Sequence, residues 1–192
     1  MSASRRLRRH LAAAFLLAAI AAFAAGFWIP IKAEVAQLLL ERSWQAARAG
    51  RPGVRPWPWA DTWPVARLSV PDIGSSWIVL AGASGRNLAF APTQLDGSAA
   101  PGEPGTTVIA GHRDTHFTVL EGIAAGTRIE LENADGTVFR YVVQGTRIVD
   151  SRTSRLRLDG ALPLLVLTTC YPFDAVVAGG PLRFLVEAAI AD

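Results

Sequence analysis

The single cysteine of this 192-residue chain is the residue whose position best suits covalent chemistry. Cys170 follows the apolar run 163–169, which is too short for a lone helix, and Arg183 comes thirteen positions later. The thiolate is the nucleophilic form of cysteine, and a neighbouring base or cation promotes it. A lone cysteine is more often a small buried hydrophobic residue. Its place at a strand end in an exported domain favours a reactive thiol.

Two histidines are candidates for the base that Cys170 needs. The chain has three histidines, and His10 lies in an N-terminal tail that the charge pattern assigns to the cytoplasm. His112 or His116 therefore remains as the group that takes the thiol proton and later protonates a leaving amine. The guanidinium of Arg183 is always charged and offers five donors, which suits it to stabilise an oxyanion.

The segment 112–116, His-Arg-Asp-Thr-His, raises a metal site as an alternative. In an extended strand, residues 112, 114 and 116 would share a face, and with Cys170 they would offer four ligands to one ion. However, the chain has no His-Glu-x-x-His helix, and Asp114 also suits a turn. The glycine-rich fragments lack the lysine of a P-loop. The sequence therefore predicts neither a metal nor an organic cofactor.

The N-terminal residues predict a membrane anchor. Residues 1–10 form a basic tail with four arginines, and residues 11–31 are apolar and uncharged. A helix of that length spans about 32 Å, the thickness of a bilayer hydrocarbon core. The positive-inside rule then predicts a single-pass inner (plasma) membrane protein with a cytoplasmic N-terminus and a periplasmic or other extracytoplasmic domain. The alternative is a cleaved signal peptide, whose apolar core usually has about 7–15 residues.

The chain beyond the anchor predicts a connector and a β-rich domain. Residues 32–64 combine a helix over 32–49 with a stretch rich in proline and tryptophan, which packs along the domain surface or lies at the membrane surface. Residues 65–192 read as short strands separated by turns, the pattern of a barrel or sandwich. The strands are predicted over 65–70, 77–80, 106–110, 127–132, 138–143, 146–149, 163–169 and 182–188.

The net charge of +3 reflects the N-terminal arginines, because those four charges leave the rest of the chain close to neutral. No basic stripe interleaved with aromatic residues is visible in the sequence. Such a stripe is the usual footprint of nucleic-acid binding. We therefore expect no nucleic-acid partner.

Taken in order, these segments resemble the sortases, a family of membrane-anchored cysteine transpeptidases. The segment 166–170, Val-Leu-Thr-Thr-Cys, resembles the family motif Thr-Leu-x-Thr-Cys, with Val166 in place of the first threonine. Thr106 also departs from the asparagine of many members. The single alanine-rich anchor and the short domain are most similar to the Gram-negative, marine-proteobacterial type. The other matching segments are 66–74, 80–84, 101–113, 117–120, 126–131 and 183–186.

The resemblance implies a mainly all-β fold, a closed sortase-type β-barrel with short helices, preceded by the transmembrane helix. It also implies that Cys170 attacks the threonine carbonyl of a Leu-Pro-x-Thr-Gly-like sorting signal near the C-terminus of an exported protein. Arg183 would stabilise the oxyanion, His112 would protonate the leaving amine, and Thr169 would line the cleft. An amine acceptor would then resolve the acyl-enzyme without a metal or cofactor.

Two other functions stay open at this point. The first is a cysteine peptidase that resolves the same acyl-enzyme with water. The second is a non-catalytic, membrane-tethered β-domain that binds a partner and carries an unreactive Cys170.

Overall fold

The computed structural model describes residues 2–177 and 179–191; the side chains of residues 2–5, 7, 21, 24, 25 and 27–30 lie outside the described part. Within it, eight strands form one closed barrel in the order β1-β2-β3-β4-β7-β8-β6-β5. The predicted closed β-barrel is therefore confirmed. The strands are β1 (Pro64–Val70), β2 (Ser75–Ala81), β3 (Thr93–Gln94), β4 (Gly105–Ala110), β5 (Arg128–Asn133), β6 (Val138–Asp150), β7 (Pro163–Cys170) and β8 (Leu182–Ile190).

The helices are one long N-terminal helix and a few short ones. Helix α1 (Ser2–Arg48) is continuous through the predicted tail, the predicted anchor and the helix expected after it. The short helices are α2 (Gly85–Leu88) and two 3₁₀ turns, Pro71–Ile73 and Thr118–Gly122. Among the described residues, no helix combines the length and apolar character needed to cross a membrane. The aromatic edge of the predicted anchor, residues 27–30, lies outside the described side chains.

The chain divides into two compact units, the first ending at Leu38 and the second starting at Leu39. In the second unit, the end of α1 packs on the outside of the barrel through Leu40 and Trp44, both fully buried against Ile78 and Leu80 of β2. Burying a tryptophan side chain removes a large apolar area from water. This part of α1 is therefore an integral layer of the barrel unit.

The proline- and tryptophan-rich connector lies along the barrel unit, as expected for a segment that packs on a domain surface. The Trp57 ring meets the Phe90 ring edge-on at a centroid distance of 4.8 Å. Ala60 and Thr62 are buried, and the Thr62 hydroxyl donates to the carbonyl of Ala81. Trp59, in contrast, is 81% exposed.

Side chains that point inward from every second strand residue fill the barrel interior. Every second residue of β1 is buried, which turns Ala66, Leu68 and Val70 inward because successive side chains of a strand point to opposite faces. These residues belong to one hydrophobic cluster that also contains Phe117, from a turn, and Leu167, from β7. The interior is therefore a packed, mainly apolar core.

Three sequence expectations differ from the structure. The strands predicted over 138–143 and 146–149 are one strand, β6, whose register with β8 shifts between Val143 and Gly145. The two-residue strand β3 was not predicted. The segment 112–116, which the metal alternative required to be extended, is a turn. Across the described residues, no group of three or more histidine, cysteine, aspartate or glutamate side chains is arranged to hold a metal ion.

Candidate active site

Strand pairing places the thiol beside an arginine. Cys170 is the last residue of β7, and its direct partner on the antiparallel strand β8 is Arg183. Directly opposed residues project from the same face of a sheet. Cys170 is partly exposed. The Nη1 atom of Arg183 donates to the carbonyls of Gly180 and Leu182 at 2.6 and 2.8 Å, which holds the guanidinium at the start of its own strand.

A second pairing brings His112 to the same edge of the sheet. Strand β4 runs parallel to β7, with Ala110 opposite Thr168. The ladder continues beyond β4, because the amide of Gly111 donates to the carbonyl of Thr168 at 3.0 Å. If this register were extended by two residues, the exposed His112 would lie opposite Cys170. His116 lies four residues further along the turn, so the register favours His112 as the partner of the thiol.

The turn that carries His112 is built around a buried phenylalanine. Phe117 is fully buried, and its amide donates to the carbonyl of His112 at 3.0 Å. The Phe117 ring also covers Gly111, where an added Cβ would lie only 2.6 Å from the Cδ2 atom. No sequence pattern indicated that Phe117 is the close neighbour of this glycine. Glycine is therefore required at 111 so that the Phe117 ring can pack under the histidine turn.

The match to known proteins decides the family. A family model described as "Sortase domain" matches residues 68–191. The chain belongs to the sortase family. Among curated proteins, it is 32% identical over 120 residues to Sortase D of Bacillus subtilis (strain 168), a match that covers 62% of this chain and 60% of that protein. The chain thus spans about 60% of the length of the curated relative it matches.

Solved sortase structures agree with the barrel described above. Sortase A from Corynebacterium diphtheriae is 28% identical, with a TM-score of 0.62 over 70% of this chain and 63% of that one. A Clostridium perfringens Sortase D5 transpeptidase, at 19% identity, shows the fold alone, with a TM-score of 0.67 over 83% of this chain and 99% of that one. The sortase-type barrel expected from the sequence is confirmed, whereas the proteobacterial subfamily remains a prediction.

The residue after His112 in this sortase is a buried arginine that the sequence analysis did not single out. Arg113 is only 7% exposed. Its Nε and Nη2 atoms bind the two carboxylate oxygens of Asp114 at 2.6 and 3.1 Å. These hydrogen bonds lower the pKa of Asp114, with smaller contributions from the charges of Arg113 and His112. The pKa of Arg113 is raised, first by its hydrogen bond with Asp114 and then by the charge of Asp114.

His116, the other histidine of the turn, is half-buried. Burial lowers its pKa below the ordinary value of 6.5, and the nearby charge of His112 lowers it further. Its Nδ1 atom lies 3.2 Å from the hydroxyl of Thr115. The uncharged imidazole is therefore the favoured form of His116 near neutral pH.

A groove of about 410 Å³ runs along the outer face of this sortase toward Arg183. Its wall includes Thr168 and Leu185, which are direct partners on β7 and β8 and so share the face of Cys170. The loop between β6 and β7 closes the groove with the apolar side chains Leu156 and Leu158. The groove therefore combines apolar side chains with Arg183, the strand partner of Cys170.

Thr169 occupies a different place from the cleft position expected for it. Its side chain is buried, and its hydroxyl donates to the carbonyl of Gly111 at 2.8 Å. Alternation along β7 turns Thr169 away from the groove face, and Thr168 lines the groove instead. The hydroxyl of Thr169 thereby ties the strand that ends in Cys170 to the residue before His112.

Asp150 is an acidic residue on which the charge of Arg183 acts. The pKa of Asp150, the last residue of β6, is lowered to about 2, mainly by hydrogen bonds from Arg152 and less by the charges of Arg152 and Arg183. Asp150 therefore stays ionised throughout the neutral range. Its hydrogen bonds go to Arg152, at 2.6–3.0 Å.

Proposed function

We propose that this chain is a membrane-anchored cysteine transpeptidase. It cleaves a Leu-Pro-x-Thr-Gly-like sorting signal near the C-terminus of an exported protein and transfers the new carboxyl end to an amine. The observation that carries the proposal is the register that pairs Cys170 with Arg183. It is supported by the parallel register of β4 and β7, which, extended by two residues, would set His112 opposite Cys170. Membership of the sortase family supports it.

The first half-reaction uses all three residues. The thiolate of Cys170 attacks the threonine carbonyl carbon, a C–S bond forms, and the carbonyl oxygen becomes an oxyanion beside the guanidinium of Arg183. The C–N bond then breaks as His112 gives its proton to the leaving amine. The product is a thioester between Cys170 and the substrate, with the downstream peptide released.

The second half-reaction reverses these roles. An amine acceptor attacks the thioester carbonyl and gives a proton to His112, the C–S bond breaks, and Cys170 returns as thiolate. No step calls for a metal or a redox cofactor. The apolar lining from Leu156, Leu158 and Leu185 suits the apolar residues of the sorting signal upstream of the threonine.

The membrane anchor and the extracytoplasmic location are part of the proposal. They are supported by the uncharged apolar run of residues 11–31 behind four arginines. The full chain with a C-terminal tag should stay with membranes after carbonate extraction, and in intact cells with a permeabilised outer envelope the tag should be open to protease. A tag released by carbonate, or protected until the plasma membrane is broken, would refute this topology.

The reaction is tested with the full chain in detergent and a fluorogenic Leu-Pro-Ala-Thr-Gly peptide, with and without triglycine. We expect a covalent acyl-enzyme by mass spectrometry and a product extended by triglycine. Cys170→Ala should give neither. A Cys170→Ala enzyme that still cleaves the peptide would contradict the mechanism, whereas a product carrying only water at high triglycine concentration would favour the peptidase alternative.

The oxyanion role is tested by Arg183→Ala. We expect kcat to fall by about 10²–10³ with a smaller change in KM, since the charge acts mainly on the transition state. The matched control is Arg140→Ala, an exposed arginine of β6 whose Nε atom pairs with Glu130 at 3.2 Å. Equal losses in the two variants would remove Arg183 from the mechanism.

A further inference from the structure

Arg113 links the two segments that carry the proposed base and nucleophile. It follows His112 directly, yet its side chain is only 7% exposed. Besides its two bonds to Asp114, the guanidinium donates from Nη1 to the carbonyl of Pro172 at 2.6 Å and from Nη2 to the carbonyl of Ala175 at 2.9 Å. All three nitrogens of the guanidinium are therefore engaged.

The two carbonyls belong to the segment that leaves the nucleophile. Pro172 and Ala175 lie two and five residues after Cys170, in a tight turn where the amide of Ala175 also approaches the carbonyl of Pro172, at 3.4 Å. One side of this turn is held by an aromatic cluster, in which Phe173 meets Phe184 at 5.2 Å. Arg113 holds it from the side of the histidine turn.

Hydrogen bonds hold the turn of His112 in place, and they therefore also hold the backbone of Arg113. The hydroxyl of Thr118 donates to the carbonyl of Arg113 at 2.7 Å, and Phe117 closes the turn with its amide on His112. A guanidinium can span a carboxylate and two separate carbonyls at once because its donors lie in a planar fork. An ammonium is a single point of charge and does not reproduce that geometry.

We propose that Arg113 is a positioning residue for acyl transfer. It fixes the segment 171–175 to the turn of His112, so that the thiol and the imidazole keep one separation while the leaving amine is protonated. The catalytic part of this inference rests on the proposed function, whereas the mechanical part does not. Two experiments on the full chain separate the two parts.

Hydrogen–deuterium exchange tests the mechanical part without any substrate. In Arg113→Gln, we expect amides of 171–177 to exchange at least tenfold faster, with the protected amides of β7 and β8 changed less than twofold. Asp114→Asn should raise exchange less, because it leaves both carbonyl bonds in place. Arg140→Gln, an exposed control, should change nothing in this segment. Unchanged exchange of 171–177 in Arg113→Gln, or an equal rise throughout the barrel, would overturn the inference.

A pair of peptides tests the catalytic part. One is the Leu-Pro-Ala-Thr-Gly amide, and the other has an ester at the scissile bond, whose alcohol leaves with less help from an acid. In single-turnover acylation, we expect Arg113→Gln to lower the rate on the amide at least tenfold, with the half-saturating peptide concentration within twofold, and to lower the rate on the ester much less. His112→Ala should show the same amide-to-ester pattern, and Arg113→Lys should recover little.

The thiol itself supplies the last control. At pH 10, above the ordinary cysteine pKa of about 8.5, alkylation of Cys170 by iodoacetamide should stay within twofold of wild type in Arg113→Gln, since a thiol is then ionised without an imidazole beside it. Equal losses on amide and ester, or a parallel loss of alkylation, would show a general structural defect and overturn the positioning role. A wild-type enzyme inactive on both peptides would refute the proposed function. The exchange experiment would still test whether Arg113 holds the segment 171–175 against the turn of His112.

Discussion

The contact between Gly111 and Phe117 gives the sharpest prediction for the histidine turn. In Gly111→Ala, the new Cβ would start 2.6 Å from the Phe117 ring. Reaching an ordinary carbon–carbon contact of about 3.5 Å from the 2.6 Å start requires a displacement of about 0.9 Å. Phe117 cannot yield easily, because it is fully buried and meets the Trp77 ring at 6.2 Å.

The displacement should therefore appear partly as lost stability and partly as a shifted His112. Overpacking a filled core costs about 1–3 kcal/mol, and the loss of backbone freedom in the unfolded chain returns about 0.4–1 kcal/mol. A net loss of about 1–2 kcal/mol corresponds to a fall in Tm of about 2–8 °C at this chain length. A shift of His112 by nearly 1 Å should lower kcat by about 10²-fold.

Thermal unfolding and peptide cleavage measure the two effects, and a double-mutant cycle assigns them. In a Phe117→Leu background the ring is gone, so adding Gly111→Ala should cost less than about 0.5 kcal/mol. Gly122→Ala is the control, since an added Cβ there would meet nothing within 4 Å. If Gly111→Ala costs the same with and without the Phe117 ring, the ring contact is not the reason for glycine at this position.

Three further outcomes follow from burial and charge. The difference in Tm between wild type and His116→Asn should shrink as the pH falls from 8 to 5. Burial lowers the pKa of His116 below its ordinary value of 6.5, so the stability that the neutral imidazole contributes is lost as the pH falls below 6.5. A Tm difference that stays constant with pH would contradict this. Leu156→Ala should reduce kcat/KM about 5- to 30-fold if the groove binds apolar substrate residues, with Leu162→Ala, 70% exposed, as an inert control. Trp44→Ala should destabilise the barrel unit by about 3–5 kcal/mol in urea unfolding, whereas Trp59→Ala, at an 81% exposed position, should stay within about 0.5 kcal/mol.

Local patterns predicted most of the strands because each depends on neighbouring residues. The alternation over 65–70 appears as β1, and the Asp135-Gly136 pair turns a hairpin in which Gly136 has a φ of +86°. The two-residue strand β3 has no periodicity of its own and pairs only through its neighbours β2 and β4. The strands predicted over 138–143 and 146–149 leave out Gln144 and Gly145, although β6 continues through both residues.

The site was less accessible to sequence reasoning because it depends on distant partners. Two-residue alternation could have shown that Thr168, rather than Thr169, shares a face with Cys170. Arg113, in contrast, gave no such signal. Its carbonyl partners lie 59 and 62 positions further along the chain, at Pro172 and Ala175, and only the folded barrel brings them together.

The place of β8 in the barrel also bears on how the protein is made. β8 follows every other strand in the chain, yet it inserts between β7 and β6. Until β8 has emerged, the apolar strand β7 therefore has an open edge, a known hazard for aggregation. The emerging Cys170 also lacks the strand that carries Arg183. Because β8 ends at residue 190, Cys170 therefore stays without its strand partner Arg183 until the last strand closes the barrel.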